Sequence, residues 1–258
     1  MIPHAIFFDI DGTLVSFRTQ SIPESAKTAI KLLKEKSIKI FIATGRASYD
    51  VNNLEDLEFD GYITSNGAYC YDSKGGIIAK HLLSKESLNR LARYLEEKPL
   101  PCAFMTNKGN AINYVDDTTL AMYNYVNIPV PPIKPVSEII ECDVLQLSVF
   151  VDLQQEIELL NVLADCSSSR WHPAFTDINV KNINKATGMD IFLAHYGLKI
   201  ENTMAFGDGG NDVSMLKHAA TGIAMENATD SAKAAADYIT ASVDEDGIFN
   251  ALKHFNVL

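Results

Sequence analysis

The sequence predicts an α/β fold, a parallel sheet carrying a smaller inserted α+β module, on three observations. Short apolar strands alternate with helical patterns toward both ends of the chain. The first three strands each run into a polar loop, and the middle stretch changes texture before the alternation resumes. Strands separated by helices imply parallel neighbours joined by crossovers. With 258 residues, 47% of them hydrophobic, the chain has material for one large core or two smaller ones.

Residues 4–8 are an apolar run that reads as a buried strand, and it leads straight into Asp9-Ile10-Asp11-Gly12-Thr13. Pro23 opens a helix in which Ala26, Ile30 and Leu33 recur at helical spacing. A second strand over 38–43 ends in Thr44-Gly45-Arg46, and a third over 61–64 ends in Ser65-Asn66-Gly67. Ligands of such sheets sit beyond the carboxyl ends of the strands, so the polar triplets mark where a site belongs.

From about Tyr69 the pattern shifts. Ser73-Lys74-Gly75-Gly76 between two β-rich runs signals a hairpin. Helical patterns cover 84–97, 118–126 and 154–164, strand-like runs cover 102–106 and 144–151, and Pro129, Pro131, Pro132 and Pro135 break one connection. This stretch, residues 82–184, is predicted to be the inserted module. The core then resumes with a helix over 187–195, a strand over 203–206, the loop Gly207-Asp208-Gly209-Gly210-Asn211-Asp212 and a helix-compatible alanine-rich piece over 232–236.

The chemistry lies in the loops. Side chains alternate along a strand, so Asp9 and Asp11 share a side while Ile10 packs away. Two carboxylates in one small space repel. A divalent cation such as Mg²⁺ compensates them simply, because it takes one or two carboxylates and otherwise keeps water or phosphate oxygens. Gly12 permits a tight turn, and Thr13 offers a hydroxyl and an amide to an anion. The alternative is an ordinary strand end followed by turn residues.

Asp208 stands where a second carboxylate-bearing strand ends, with Asn211 and Asp212 supplying nearby oxygens. A plain turn with Asp212 as helix N-cap also accounts for that segment. The Thr44 hydroxyl is placed to donate to a phosphoryl oxygen or to cap a helix, and Arg46 to reach a substrate anion or solvent. Lys185, in the polar patch Asn182-Ile183-Asn184-Lys185, would ordinarily be solvated. A site with three or more acids nevertheless needs a fixed cation besides the metal, and Lys185 opens the helix that leads to the Asp208 loop.

A net charge of −11 and a pI near 5.0 argue against nucleic acid or an anionic membrane as partner. Cys70, Cys102, Cys142 and Cys166 are too widely spaced for a zinc or disulfide pattern and read as free thiols of a reducing compartment. With no leader-like segment and no apolar run of spanning length, a cytoplasmic location is the expectation.

At these motifs the chain resembles the haloacid dehalogenase (HAD) superfamily of phosphohydrolases. Asp9-x-Asp11-Gly12-Thr13 is similar to its first motif, Thr44-Gly45-Arg46 to its second, Lys185 to its third, and Gly207 to Asp212 to its fourth. The position of the insert resembles the Cof-type branch, subfamily IIB, which includes many sugar-phosphate phosphatases. So do Asn66-Gly67-Ala68, Ile223-Ala224-Met225, Ala236-Asp237-Tyr238-Ile239-Thr240 and Glu245-Asp246-Gly247. Ala186 departs from the pattern, since many relatives have glycine there.

The resemblance implies a Rossmann-like (HAD-like) core of residues 1–81 and 185–258, with 82–184 as an α+β cap that closes over the site. It further implies a Mg²⁺-dependent phosphatase acting on small phosphorylated metabolites, sugar phosphates foremost, through an aspartyl-phosphate. Asp9 is then the nucleophile and Asp11 the proton donor and acceptor. The metal falls to Asp9, the Asp11 carbonyl and Asp208, with Asp212 close by, and the phosphoryl group to Thr44, Gly45, Lys185 and Asn211. Substrate contacts are expected from Arg46, Asn66, Arg170, Trp171, His172 and Asp177. Packing around the single tryptophan is the equal alternative for the last four. A phosphomutase on hexose phosphates shares this machinery, and a non-catalytic phosphate-binding regulator is disfavoured by the intact Asp9 and Asp11 pair. The expected partner is a small phosphate ester, taken by a monomer or weak homo-oligomer.

Overall fold

The computed structural model describes residues 2–125 and 128–258. The chain divides into two units, Met1–Ala79 with Asn184–Leu258, and Lys80–Ile183. In chain order, the first unit begins with β1 (Ala5–Phe8), α1 (Glu24–Glu35), β2 (Lys39–Ala43), β3 (Gly61–Thr64), β4 (Tyr69–Asp72) and β5 (Ile77–Lys80). The second unit holds α2 (Lys85–Glu97), β6 (Cys102–Thr106), β7 (Gly109–Ile112), α3 (Asp117–Tyr125), α4 (Val136–Ile139), β8 (Val144–Val149), α5 (Leu153–Val162), β9 (Cys166–His172) and β10 (Phe175–Val180). The first unit then resumes with α6 (Lys185–Tyr196), β11 (Thr203–Gly207), α7 (Val213–His218), β12 (Thr221–Ala224), α8 (Asp230–Ala235), β13 (Tyr238–Ile239) and α9 (Gly247–His254).

The sheet of the first unit runs β13-β12-β11-β1-β2-β3-β4-β5. It is parallel from β13 to β3 and turns antiparallel at β4. Alternation along β1 splits its side chains between two cores. Ile6 and Phe8 join α1 (Ala26, Ile30, Leu33) and α9 (Ile248, Ala251, Leu252) on one face. Ala5 and Phe7 join Phe41, α6 (Met189, Phe192) and α7 (Met215, Leu216) on the other. Two covered faces make an α/β sandwich whose strand order reverses at β1, with β2 on one side and β11 on the other, and a crevice at that switch point follows. The hairpin signalled by the glycines at 75 and 76 belongs to this sheet as β4 and β5. Asp72 shapes its turn by accepting from the amides of Lys74 and Gly76, both at 2.8 Å.

The second unit is an antiparallel sheet in the order β7-β6-β8-β10-β9. Leu88, Leu91 and Leu95 of α2 and Leu159 of α5 pack on one face against Phe104, Leu147, Val149 and Ile178. Ser84 caps α2 through the Ser87 amide, which is why the helix begins one residue after the predicted 84. The helix predicted over 118–126 appears as α3, and Val126 lies outside the described residues. The strands β7, β9 and β10 have no counterpart in the sequence reading. The serine run from 167 to 169 hides β9 from an argument based on apolar alternation. All four cysteines are free thiols, with Cys70, Cys102 and Cys166 buried. Among the described residues no helix is long and apolar enough to cross a membrane.

Candidate active site

The site grows from four strand ends of the first unit. Asp9 follows β1 directly and its amide donates to the carbonyl of Phe206 in β11 at 3.0 Å, so its backbone is tied to the sheet, and only 6% of the residue is exposed. Lys185 opens α6 behind a reciprocal capping box between Asn184 and Thr187. That box starts the helix two residues earlier than predicted and turns Lys185 inward. A lysine expected from its polar neighbours to be solvated is in fact fully buried. Its ammonium donates to Asp9 Oδ1 at 2.6 Å and to Asp212 Oδ1 at 2.5 Å, using two of its three donors.

Asp212 is held from both ends. Its Oδ2 accepts from the amides of Asp208 at 2.9 Å and Gly209 at 2.8 Å, and this folds the glycine-rich loop after β11 into a tight bend. Asp208 is fixed by Thr13, whose hydroxyl donates to Asp208 Oδ1 at 2.9 Å. Gly12 has φ +84°, and a Cβ there would stand 2.4 Å from Asp208 Oδ2. Glycine is therefore required both by the left-handed turn and by the close approach of the two acid loops.

Asp9, Asp208 and Asp212 bring one carboxylate oxygen each within 4.8 Å of one another. Three acids, Asp9 and Asp212 buried and Asp208 partly so, face one lysine. Burial first, then the charge of Asp212, push the Asp9 carboxyl up to about 7 against the opposing pull of Lys185. Burial, then Asp9, raise Asp208 well above the usual carboxylate range. Burial works against the charge of Lys185, yet Asp212 and Asp9 outweigh it, and the ammonium holds its proton more firmly than usual. An all-oxygen cluster with surplus negative charge fits a hard divalent cation such as Mg²⁺.

The raised Asp9 value sets an expected pH dependence. A carboxyl that binds its proton more tightly folded than unfolded contributes stability fully present below about 4, lost as pH rises through about 7. In EDTA the melting temperature should fall between pH 5 and 7.5, and Mg²⁺ should raise it more at pH 7.5 than at pH 5. An equal Mg²⁺ effect at both values, read by thermal unfolding, would show that this cluster is not where the ion acts.

Asp11 stands apart from that cluster. Both of its oxygens accept from Arg46, Oδ2 from Nε at 2.8 Å and Oδ1 from Nη2 at 2.6 Å, a bidentate clasp. The remaining Arg46 nitrogen, Nη1, donates to the Asp50 carbonyl and to Asn53 Oδ1. Arg46, expected to reach a substrate anion, thus has its guanidinium committed to the second aspartate. Thr44 is buried, and its hydroxyl accepts from the Arg46 amide at 3.1 Å, closing the turn after β2. Asn66 and Asn211 meet through an amide hydrogen bond of 3.1 Å beside Gly45.

The other expected substrate residues lie in the second unit. Arg170 spends its guanidinium there. Nε and Nη2 donate to Glu156 at 2.8 and 2.6 Å, Nη2 also to the Val151 carbonyl at 2.9 Å, and Nη1 to the Pro173 carbonyl at 2.7 Å. These bonds tie β9 to α5, as the packing alternative for Arg170 expects. Asp177 is buried on β10 and accepts from Ser148 at 2.6 Å, while His172, at the end of β9, accepts from the Ala174 amide at 3.2 Å. Trp171 lies on β9 between Arg170 and His172.

Two supports escaped the sequence reading. Asn227 Nδ2 donates to the Gly12 carbonyl at 2.8 Å while its Oδ1 accepts from the Val243 amide at 3.0 Å. The Thr229 amide donates to the Asp208 carbonyl at 2.8 Å. One loop after β12 thereby fastens both acid loops. No local signal marks it, whereas the Asn184 and Thr187 box is visible as an N-cap pattern.

A family model for haloacid dehalogenase-like hydrolases matches residues 6–252. The chain belongs to this family. Its similarity to 5-amino-6-(5-phospho-D-ribitylamino)uracil phosphatase YcsE of Bacillus subtilis (strain 168) is 30% identity over 255 residues, covering 97% of this chain and 94% of the relative. Among solved structures, the HAD subclass IIB sugar phosphatase BT4131 is 42% identical with a TM-score of 0.93, and the match covers 98% of this chain and 99% of that one. The HAD phosphatase BT1666 from Bacteroides thetaiotaomicron is 36% identical with a TM-score of 0.94, covering 100% and 96%. The expected α/β fold and family are borne out, and this member of the HAD family is a phosphatase by class.

Proposed function

We propose that the protein is a Mg²⁺-dependent phosphatase of small phosphorylated metabolites, sugar phosphates foremost, that works through an aspartyl-phosphate. The observation that carries this reading is the separation of the two aspartates: Asp9 belongs to the acid cluster with Lys185, while Asp11 is held by Arg46 outside it. One carboxylate is thereby placed beside a cation site, while the other stays outside it and can serve protons once Arg46 releases one of its oxygens. The sugar preference draws on the 42% identity to a sugar phosphatase. We also place the protein in the cytoplasm on its acidic charge and free thiols.

In this reading Asp9 attacks phosphorus and the ester oxygen departs, taking a proton from Asp11. Asp11 then takes a proton from the water that hydrolyses the aspartyl-phosphate. Lys185, the Thr44 hydroxyl and the Asn211 amide neutralise and orient the equatorial oxygens, whose charge is spread in a loose transition state. Mg²⁺, held by Asp9, Asp208 and the Asp11 carbonyl with Asp212 behind, would offset the negative charge gathered by the phosphate and the acids.

The test is phosphate release from a panel of phosphorylated sugars, nucleotides and cofactors, with Mg²⁺ or EDTA, for the parent and Asp11→Asn. Sugar phosphates should lead the panel and EDTA should abolish release. Asp11→Asn should lose roughly 10²- to 10⁴-fold in kcat, as removal of a general acid does, while still binding Mg²⁺. Undiminished turnover by Asp11→Asn would remove its proton-transfer role.

A further inference from the structure

The turn after β3 has an unusual backbone. Ser65, Asn66 and Gly67 have φ of 48°, 51° and 101° in succession, whereas left-handed residues normally occur singly and only glycine is free of the Cβ penalty. The surroundings impose the conformation. The Ser65 amide donates to the Arg46 carbonyl at 2.8 Å and the Asn66 amide to the Thr44 carbonyl at 3.0 Å. Gly67 lies so close to Asn184 that a Cβ would stand 2.3 Å from its carbonyl oxygen. One strained turn thus touches the loop after β2 and the cap of the Lys185 helix. Strain held by surroundings on this scale points to a task.

The side chain of Asn66 supplies it. Asn66 is 3% exposed, and its Oδ1 accepts from Asn211 Nδ2 at 3.1 Å. Both amides lie against Gly45, where a Cβ would meet Asn66 Nδ2 and Oδ1 at 3.3 Å and Asn211 Nδ2 at 3.4 Å. We infer that Asn66 is a positioning residue that acts through Asn211, fixing the plane of the Asn211 amide so that its second N–H is presented to the phosphoryl group. This replaces the direct substrate contact expected from the sequence, and it rests on the proposal that Asn211 binds the phosphoryl group. Asparagine suits the place because it tolerates left-handed backbone better than most residues, and its short amide reaches Asn211 from there. A donor aimed before the substrate arrives costs nothing to reorganise during the reaction.

The experiment is a double-mutant cycle read with p-nitrophenyl phosphate and Mg²⁺. Asn66→Gly deletes the amide but suits the backbone, so its melting temperature should match or exceed that of the parent. Its kcat/KM should fall roughly 10- to 100-fold, the cost of a misplaced catalytic donor. Asn211→Ala should fall at least as far, and the double variant should be no slower than Asn211→Ala alone. If the Asn66→Gly loss multiplies onto the Asn211→Ala loss, Asn66 acts independently and the inference is overturned while the phosphoryl role of Asn211 stands. An Asn66→Gly enzyme as fast as the parent beside a slow Asn211→Ala also overturns it. If Asn211→Ala turns over like the parent, the reading of Asn211 fails and the inference fails with it.

Discussion

Asp9→Asn should lose roughly 10⁴-fold or more in turnover of any phosphate ester, as expected when a covalent nucleophile is removed. The substitution is nearly isosteric, and its Oδ1 can still accept from Lys185, which now stands 2.6 Å from that atom. It also removes a charge that burial disfavours and that Asp212 repels. Stability in EDTA near pH 7 should therefore hold or rise even as activity vanishes. That pairing of outcomes separates a chemical defect from a folding one. Mass spectrometry of acid-quenched turnover mixtures supplies a second readout, since the parent should carry a fraction with one added phosphoryl group and Asp9→Asn none. Retained turnover with a normal melting temperature would exclude the covalent route through this residue.

The acids at strand ends were readable because their geometry is local: two residues of spacing after β1, or one tight loop after β11. The fold class was readable for a related reason, since period-two and period-3.6 patterns depend only on neighbours along the chain. The pairings were not. The clasp of Arg46 on Asp11 spans 35 positions and the Asn66 and Asn211 amide contact spans 145, so each exists only once the sheet has brought the loops together. Lys185 illustrates how a local average misleads. Its neighbours are polar, but the capping box at Asn184 starts the helix early and directs the lysine inward. For Arg170, substrate contact and packing were equally open in the sequence, because the carboxylate that occupies it, Glu156, comes from a separate helix. Sequence spacing locates groups able to react, whereas the assignment of one group to another is tertiary.

Lys185→Met should strongly destabilise the first unit, despite adding an apolar side chain to a fully buried position. Methionine fills the volume and supplies flexibility, so a cavity is not the cause. The cause is that Asp9 and Asp212, both largely withdrawn from water, lose the cation that joins them. Breaking a buried ion pair from one side costs about 3–5 kcal/mol, because the other charge is left unpaired. Protonation of Asp9 relieves part of this, so the loss should be greatest above pH 7 and smaller near pH 5. Activity should fall by roughly 10³-fold, the scale of losing a fixed positive group at a site of developing negative charge. Adding Asp212→Asn to Lys185→Met removes one of the stranded charges and should recover stability without recovering activity. Lys185→Arg should not substitute, since a planar fork cannot occupy a site shaped for a compact ammonium. Chemical unfolding across pH 5 to 8 of the single and double variants measures each step. If Lys185→Met unfolds at the same denaturant concentration as the parent throughout that range, the ammonium is not what holds the acids together.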